Sequence, residues 1–128
     1  MKILLSLLII PFLLPAHSFV YVAEKPILEE VQEKSAVHTI TAYTLSEDET
    51  DSTPCLGAWN DNLCELQKEI QICATRAYPR GTVLKIGELE CVVLDKTARK
   101  YANRIDILMP SKERAREFGK QLVSVKEQ

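Results

Sequence analysis

The sequence predicts a mainly β fold closed into a six-stranded barrel, with one short helix near the C-terminus. Two features of the residue pattern and one of the composition carry this. About six short runs rich in β-branched and apolar residues follow one another from residue 38, bounded by Gly, Pro, Asn or Asp. Only the segment 111–119 combines helical start and stop signals. The chain has 128 residues, 46% hydrophobic and 27% charged, which suits one globular domain. Closing many short strands into a barrel leaves no unpaired strand edge.

The elements follow in order. His38-Thr39-Ile40-Thr41-Ala42-Tyr43-Thr44 alternates, with Ile40 and Ala42 on one face and Thr39, Thr41 and Tyr43 on the other. The acidic stretch 46–54 reads as a loop, and 55–64, with Gly57, Asn60, Asp61 and Asn62, as a compact loop closed near its ends. Ile70-Gln71-Ile72-Cys73-Ala74 is a short strand. Pro79-Arg80-Gly81-Thr82 is a turn, because Pro presets one backbone angle and Gly permits another. Strands are then expected over 82–86, 88–95 and 104–109, with Gly87 between the first two. Ser111 is an N-cap for a helix over 112–118, which Gly119 ends, and 121–126 is the closing strand.

The N-terminus reads as an export signal over 1–18. Lys2 supplies the positive charge, 3–14 is almost wholly apolar, and Ala16-His17-Ser18 has a small–x–small cleavage pattern. The run falls short of the ~20 apolar residues that span a bilayer; an uncleaved anchor is the alternative. No Cys follows it, which argues against a lipid anchor. The mature chain then starts near Phe19, with a polar, acidic spacer over 19–36 and the domain over 37–128. In an exported chain, Cys55, Cys64, Cys73 and Cys91 predict two disulfides, with three connectivities open. A zinc site is the rival, but no Cys-x-x-Cys pair is present. No metal or other cofactor is expected.

The formal net charge is -2 and no basic run stands out, so nucleic acid and an anionic membrane surface are not indicated as partners. No stable membrane insertion is expected after signal cleavage, and the expected state is a monomer.

Read in order, the strands carry a series of words: Thr41-Ala42-Tyr43, Ala74-Thr75-Arg76, Pro79-Arg80-Gly81-Thr82, Val92-Val93-Leu94-Asp95, Arg104-Ile105-Asp106-Ile107 and Phe118-Gly119-Lys120. The series resembles the 3D (three-aspartate) domain of MltA-type membrane-bound lytic transglycosylases and of stationary-phase survival proteins, and it covers 39–125. The resemblance implies a six-stranded double-psi β-barrel. It implies an exported protein acting on peptidoglycan glycan strands, as a lytic transglycosylase that cleaves between N-acetylmuramic acid and N-acetylglucosamine and leaves 1,6-anhydro ends. The family's middle and last aspartates fall on Asp95 and Asp106. The first has no counterpart, since its segment reads Cys73-Ala74-Thr75-Arg76, and the family's glycine-rich stretch is replaced by Lys96-Thr97-Ala98-Arg99-Lys100-Tyr101.

Such chemistry needs one carboxyl group that first donates a proton to the leaving oxygen and then takes one from the sugar's C6 hydroxyl. Asp106 is the candidate, because Ile105, Ile107, Leu108 and Met109 surround it in sequence and apolar burial favours the neutral acid. Asp95 is the second carboxylate. The competing reading of Asp106 is an ion pair with Arg104, two residues away on the same strand face, with Arg99 or Lys100 pairing Asp95. Tyr43, Thr41, Arg76 and Arg99 are candidate substrate contacts, joined by Lys100, and Trp59 either stacks on a sugar or covers the barrel end. His38 alone makes no metal site. The alternative function is a non-catalytic peptidoglycan-binding or structural module on the same barrel.

Overall fold

The computed structural model describes residues 33–46 and 52–128, with Pro11, Leu13, Pro15, Ala16 and Ser18 of the N-terminal stretch. The expected export signal and most of the expected spacer therefore lie outside the described residues. Among the described residues, no helix is long and apolar enough to cross a membrane.

Six strands close into a barrel: β1 (Ser35–Tyr43), β2 (Ile72–Thr75), β3 (Val83–Ile86), β4 (Leu89–Asp95), β5 (Arg104–Leu108) and β6 (Gln121–Glu127). Their order around the barrel is β1-β5-β2-β4-β3-β6. Two neighbouring pairs are parallel, β1 with β5 and β2 with β4, and the other four are antiparallel. Adding three to each strand number maps this cyclic order onto itself, so the two halves of the chain are topologically equivalent. β1 and β2 flank β5, and β4 and β5 flank β2, so the connection between each of these pairs crosses a neighbouring strand. Two such interlocked crossings are what a double-psi barrel requires.

Alternation along the strands builds the interior. Ile40, Cys73, Leu84, Cys91, Val93, Ile105, Ile107 and Val125 are at most 1% exposed and form one cluster inside the barrel. The residues between them face outward. A second cluster forms on that outer side, where Leu63, Ile72, Leu94 and Leu108 pack with Tyr43, Leu66 and Val92. Leu63 begins a one-turn helix, α1 (Leu63–Leu66), in the segment expected to be loop. Asn62 caps it by accepting a hydrogen bond from the Glu65 N–H. The last helix, α2 (Lys112–Phe118), is capped as expected by Ser111 and ended by Gly119 at φ 65°.

Strand β1 starts at Ser35, earlier than the alternation suggested, because Ser35, Ala36 and Val37 pair with Lys126, Val125 and Ser124 of β6. Among these three outer-end β1 residues none is buried, so no hydrophobic period marks them in the sequence.

Both disulfides form. Cys55 joins Cys64, closing the loop that leads into α1, and Cys73 joins Cys91 across the β2 and β4 pair inside the barrel. Two bridges are compatible with an exported protein. Among the described residues no cluster of three or more His, Cys, Asp or Glu is arranged to hold a metal ion.

Peptide mapping under non-reducing conditions will find Cys55 linked to Cys64 and Cys73 to Cys91. The Cys73→Ala/Cys91→Ala variant will lose about 3 kcal/mol in denaturant unfolding, as expected for opening a loop of this length. Any other pairing contradicts the β2–β4 register.

Candidate functional site

The register of four adjacent strands sets the site. Thr41 of β1 lies beside Asp106 of β5, Asp106 beside Ala74 of β2, and Ala74 beside Asp95 of β4. A register shift between Cys73 and Ala74 brings Asp95 to this level. Asp106 lies between Ile105 and Ile107, both in the barrel interior, so its own side chain faces the outer side of the wall.

On that outer side a groove of about 900 Å³ runs across the strands. Its floor carries Tyr43, Ala74, Asp95, Arg104 and Asp106. One wall is the disulfide-closed loop, through Pro54, Leu56, Gly57 and Ala58. The other is the segment 96–101, through Thr97, Arg99 and Tyr101. Gly57 allows the first wall to lie this close. A Cβ there would sit 2.8 Å from the Leu94 carbonyl oxygen and 3.0 Å from Leu63 Cδ2, so any other residue would push the loop off β4.

Asp106 is 7% exposed and heavily engaged. Arg104 Nη2 donates to its Oδ2 at 2.8 Å, Arg104 Nε lies 2.6 Å from Oδ1, and the Thr41 hydroxyl donates to Oδ1. Arg104 in turn lies flat on Tyr101, with its guanidinium carbon 3.8 Å from the ring centre. The ion-pair reading of the Arg104-x-Asp106 spacing is therefore what the fold contains.

Asp95 does a different job. Its Oδ1 accepts from the Ala58 N–H at 3.0 Å and from the Lys96 N–H at 2.9 Å, and its Oδ2 accepts from the Tyr43 hydroxyl at 3.1 Å. It ties the disulfide-closed loop to the end of β4. Burial, reinforced by the nearby Asp95 charge, holds the Tyr43 phenol far above the ordinary tyrosine range. Tyr43 therefore stays a donor to Asp95.

The other predicted residues divide. Arg76 and Arg99 line the groove, and Arg76 Nε donates to the Thr97 carbonyl at 2.6 Å. Thr41 touches Asp106 and lines a neighbouring pocket. Lys100 also belongs to that pocket. Neither Arg99 nor Lys100 pairs with Asp95, whose partners are Tyr43 and two backbone amides. Trp59 packs against the interior cluster, with Lys96 Nζ 4.7 Å from its ring centre. That is the covering role. His38 bonds the Asn103 carbonyl and the Tyr78 hydroxyl.

Sequence reasoning missed Tyr101 as the platform under Arg104, and Ala58, whose backbone amide carries its contribution. An amide leaves no trace in side-chain identity. The Arg-Ile-Asp spacing did signal Arg104.

Comparison with known protein families, with curated proteins and with solved structures finds no match.

Tyr43→Phe removes one donor to Asp95 and will cost about 1 kcal/mol at neutral pH. The phenol's affinity for its proton is higher in the folded state, so its contribution is complete below the ordinary tyrosine value of 10.0 and declines as pH rises through the folded value. Denaturant unfolding of the wild type between about pH 10 and 12 will therefore show a loss of stability that Tyr43→Phe lacks. Identical pH slopes for the two proteins would contradict the Tyr43–Asp95 bond.

Proposed function

We propose that this barrel is an exported module that grips peptidoglycan glycan strands in the groove over Asp106. The observation that carries the reading is how the groove's polar groups are used. Both carboxylates on its floor are engaged by protein donors, whereas Arg76 and Arg99 are exposed on its lining and pair with no carboxylate among the described residues. A floor of fixed hydrogen bonds with cationic and aromatic edges suits an N-acetylated sugar strand that carries carboxylates. The size of the groove also suits several linked sugars. The ordered strand words and the barrel topology support the choice of this polymer, through the resemblance to the 3D domain.

Cutting is the second reading, with Asp106 as acid and then base in a lytic transglycosylase. Its support is that Asp106 is nearly buried and lines the groove, and that the resemblance in sequence aligns it with the 3D domain's last aspartate. The step needs a carboxyl oxygen free to meet the glycosidic oxygen. A substrate group would have to draw Arg104 away from Asp106 first, which substrate binding can do because such contacts rearrange on complex formation.

One experiment separates the two. Purified protein is sedimented with insoluble peptidoglycan, and the supernatant is analysed for 1,6-anhydromuramyl products by mass spectrometry. Gripping predicts co-sedimentation that survives Asp106→Asn, with no anhydro products from the wild type. Cutting predicts anhydro products that Asp106→Asn reduces by at least about a hundredfold, the scale of a lost general acid–base group. No sedimentation and no products from several wall types would remove both.

A further inference from the structure

A second pocket of about 380 Å³ lies beside the groove. Tyr101 and Arg104 line both, so their stacked pair forms the partition between them. The second pocket is built by Thr39 and Thr41 of β1, by Lys100 and Asn103 of the turn before β5, and by Lys120 at the start of β6. Among the described residues no carboxylate lines it. The three cations on its lining, Lys100, Arg104 and Lys120, stand in a chain whose net charge is -2.

Their engagement differs. Arg104 is committed to Asp106 and Tyr101. Lys100 Nζ rests 4.9 Å from the Tyr101 ring centre and has no carboxylate partner among the described residues. Among the described residues, the Lys120 ammonium, the Thr39 hydroxyl and the Asn103 side-chain amide have no hydrogen-bond or ion-pair partner. Lys100, Lys120, Thr39 and Asn103 thus line one cavity with donor groups that no carboxylate among the described residues engages. Surface lysines usually find solvent or a carboxylate. A cavity lined by three cations favours an oxyanion, to which the hydroxyl and amide side chains on its lining can also donate.

We infer that this pocket is a second subsite, which takes an oxyanion carried by the strand lying in the main groove. The inference rests on the glycan reading of that groove, and it assigns the strand's acidic substituent to a place of its own. The sugar chain lies over Asp106, and its acidic substituent passes the Tyr101–Arg104 partition to reach Lys100 and Lys120. The oxyanion is either a carboxylate, as in the lactyl group or stem peptide of muramic acid, or a phosphate of a polymer attached to the wall.

The test uses the full chain. Amide NMR spectra are followed while N-acetylmuramic acid, inorganic phosphate or neutral N-acetylglucosamine is added. Sedimentation is measured on intact peptidoglycan and on peptidoglycan stripped of phosphodiester-linked polymers. Carboxylate recognition predicts that N-acetylmuramic acid shifts the Thr39, Asn103 and Lys120 amides, that N-acetylglucosamine does not, and that stripping leaves sedimentation unchanged. Phosphate recognition predicts shifts with inorganic phosphate and weaker sedimentation after stripping. In both cases Lys100→Ala/Lys120→Ala weakens wall binding about three- to tenfold, the scale of two exposed charge contacts, without changing the unfolding midpoint. If neither anion moves these amides and the double variant sediments like the wild type, the subsite is overturned and the glycan reading stands. If the anions move them while the wild type binds no wall, the glycan reading fails and the oxyanion site remains.

Discussion

The position of β5 between β1 and β2 is the constraint on which the rest depends. Its residues alternate between the two sides of the barrel wall, and each partner fixes its register independently. Parallel pairing sets Ile105 beside Ile40, and antiparallel pairing sets Ile107 beside Cys73. A slip of one residue would bring Asp106 into the barrel interior and turn two fully buried isoleucines toward water. Removing two such side chains from the core would cost several kcal/mol, and an unpaired carboxylate inside would cost more. The core thus places Asp106 on the outer side without help from any residue in the groove. The charge beside it is fixed in the same way, because Arg104 is two residues away on the same strand and must share its face.

The disulfides act on opposite sides of this wall. Cys73–Cys91 joins β2 and β4 from within the barrel, next to the register shift that brings Asp95 level with Ala74. Cys55–Cys64 closes the loop on the outside, and Asp95 then holds that loop by the Ala58 amide. A barrel this small has a modest core, so covalent closure does part of the work that apolar burial does in larger domains. It also keeps one wall of the groove in place when nothing occupies it, which lowers the ordering cost of binding.

Much of this was legible in the residues, and what was not has a physical reason. The strands over 82–86, 88–95 and 104–109 were visible because they are short runs of apolar and β-branched residues bounded by turn-forming ones. The helix at Lys112–Phe118 was visible from Ser111 and Gly119, whose cap roles are local. Helix α1 was not, since one turn is too short for a period and is held by Leu63 packing under the loop. The start of β1 was missed because its first residues are exposed and are ordered by pairing with β6, a partner far along the chain. Charge was the least legible. Arg76, Lys96, Arg99, Lys100, Arg104 and Lys120 form no run that stands out in the sequence, and crossing connections gather them at one end of the wall.

Under the proposed reading, that gathering would let a chain of net charge -2 meet an acidic ligand. Net charge governs solubility and long-range encounter, whereas recognition depends on the few groups inside about one Debye length of the bound atom. Asp106 and Asp95 lie within that distance, and on charge alone they would repel an anion. Asp106 is paired with a guanidinium, and Asp95 keeps its charge while two amides and a phenol hydrogen-bond it. Both are engaged in holding Arg104 and the loop in place, and Arg76, Arg99, Lys100 and Lys120 line the two cavities with no carboxylate partner among the described residues. An acid held this tightly to its arginine is freed only if a ligand anion competes for the same guanidinium. An acidic glycan carries such a group, so a ligand drawn in by the cations is also the kind of ligand able to loosen Arg104 from Asp106. Gripping and cutting would then differ by the reach of one arginine side chain rather than by a different fold.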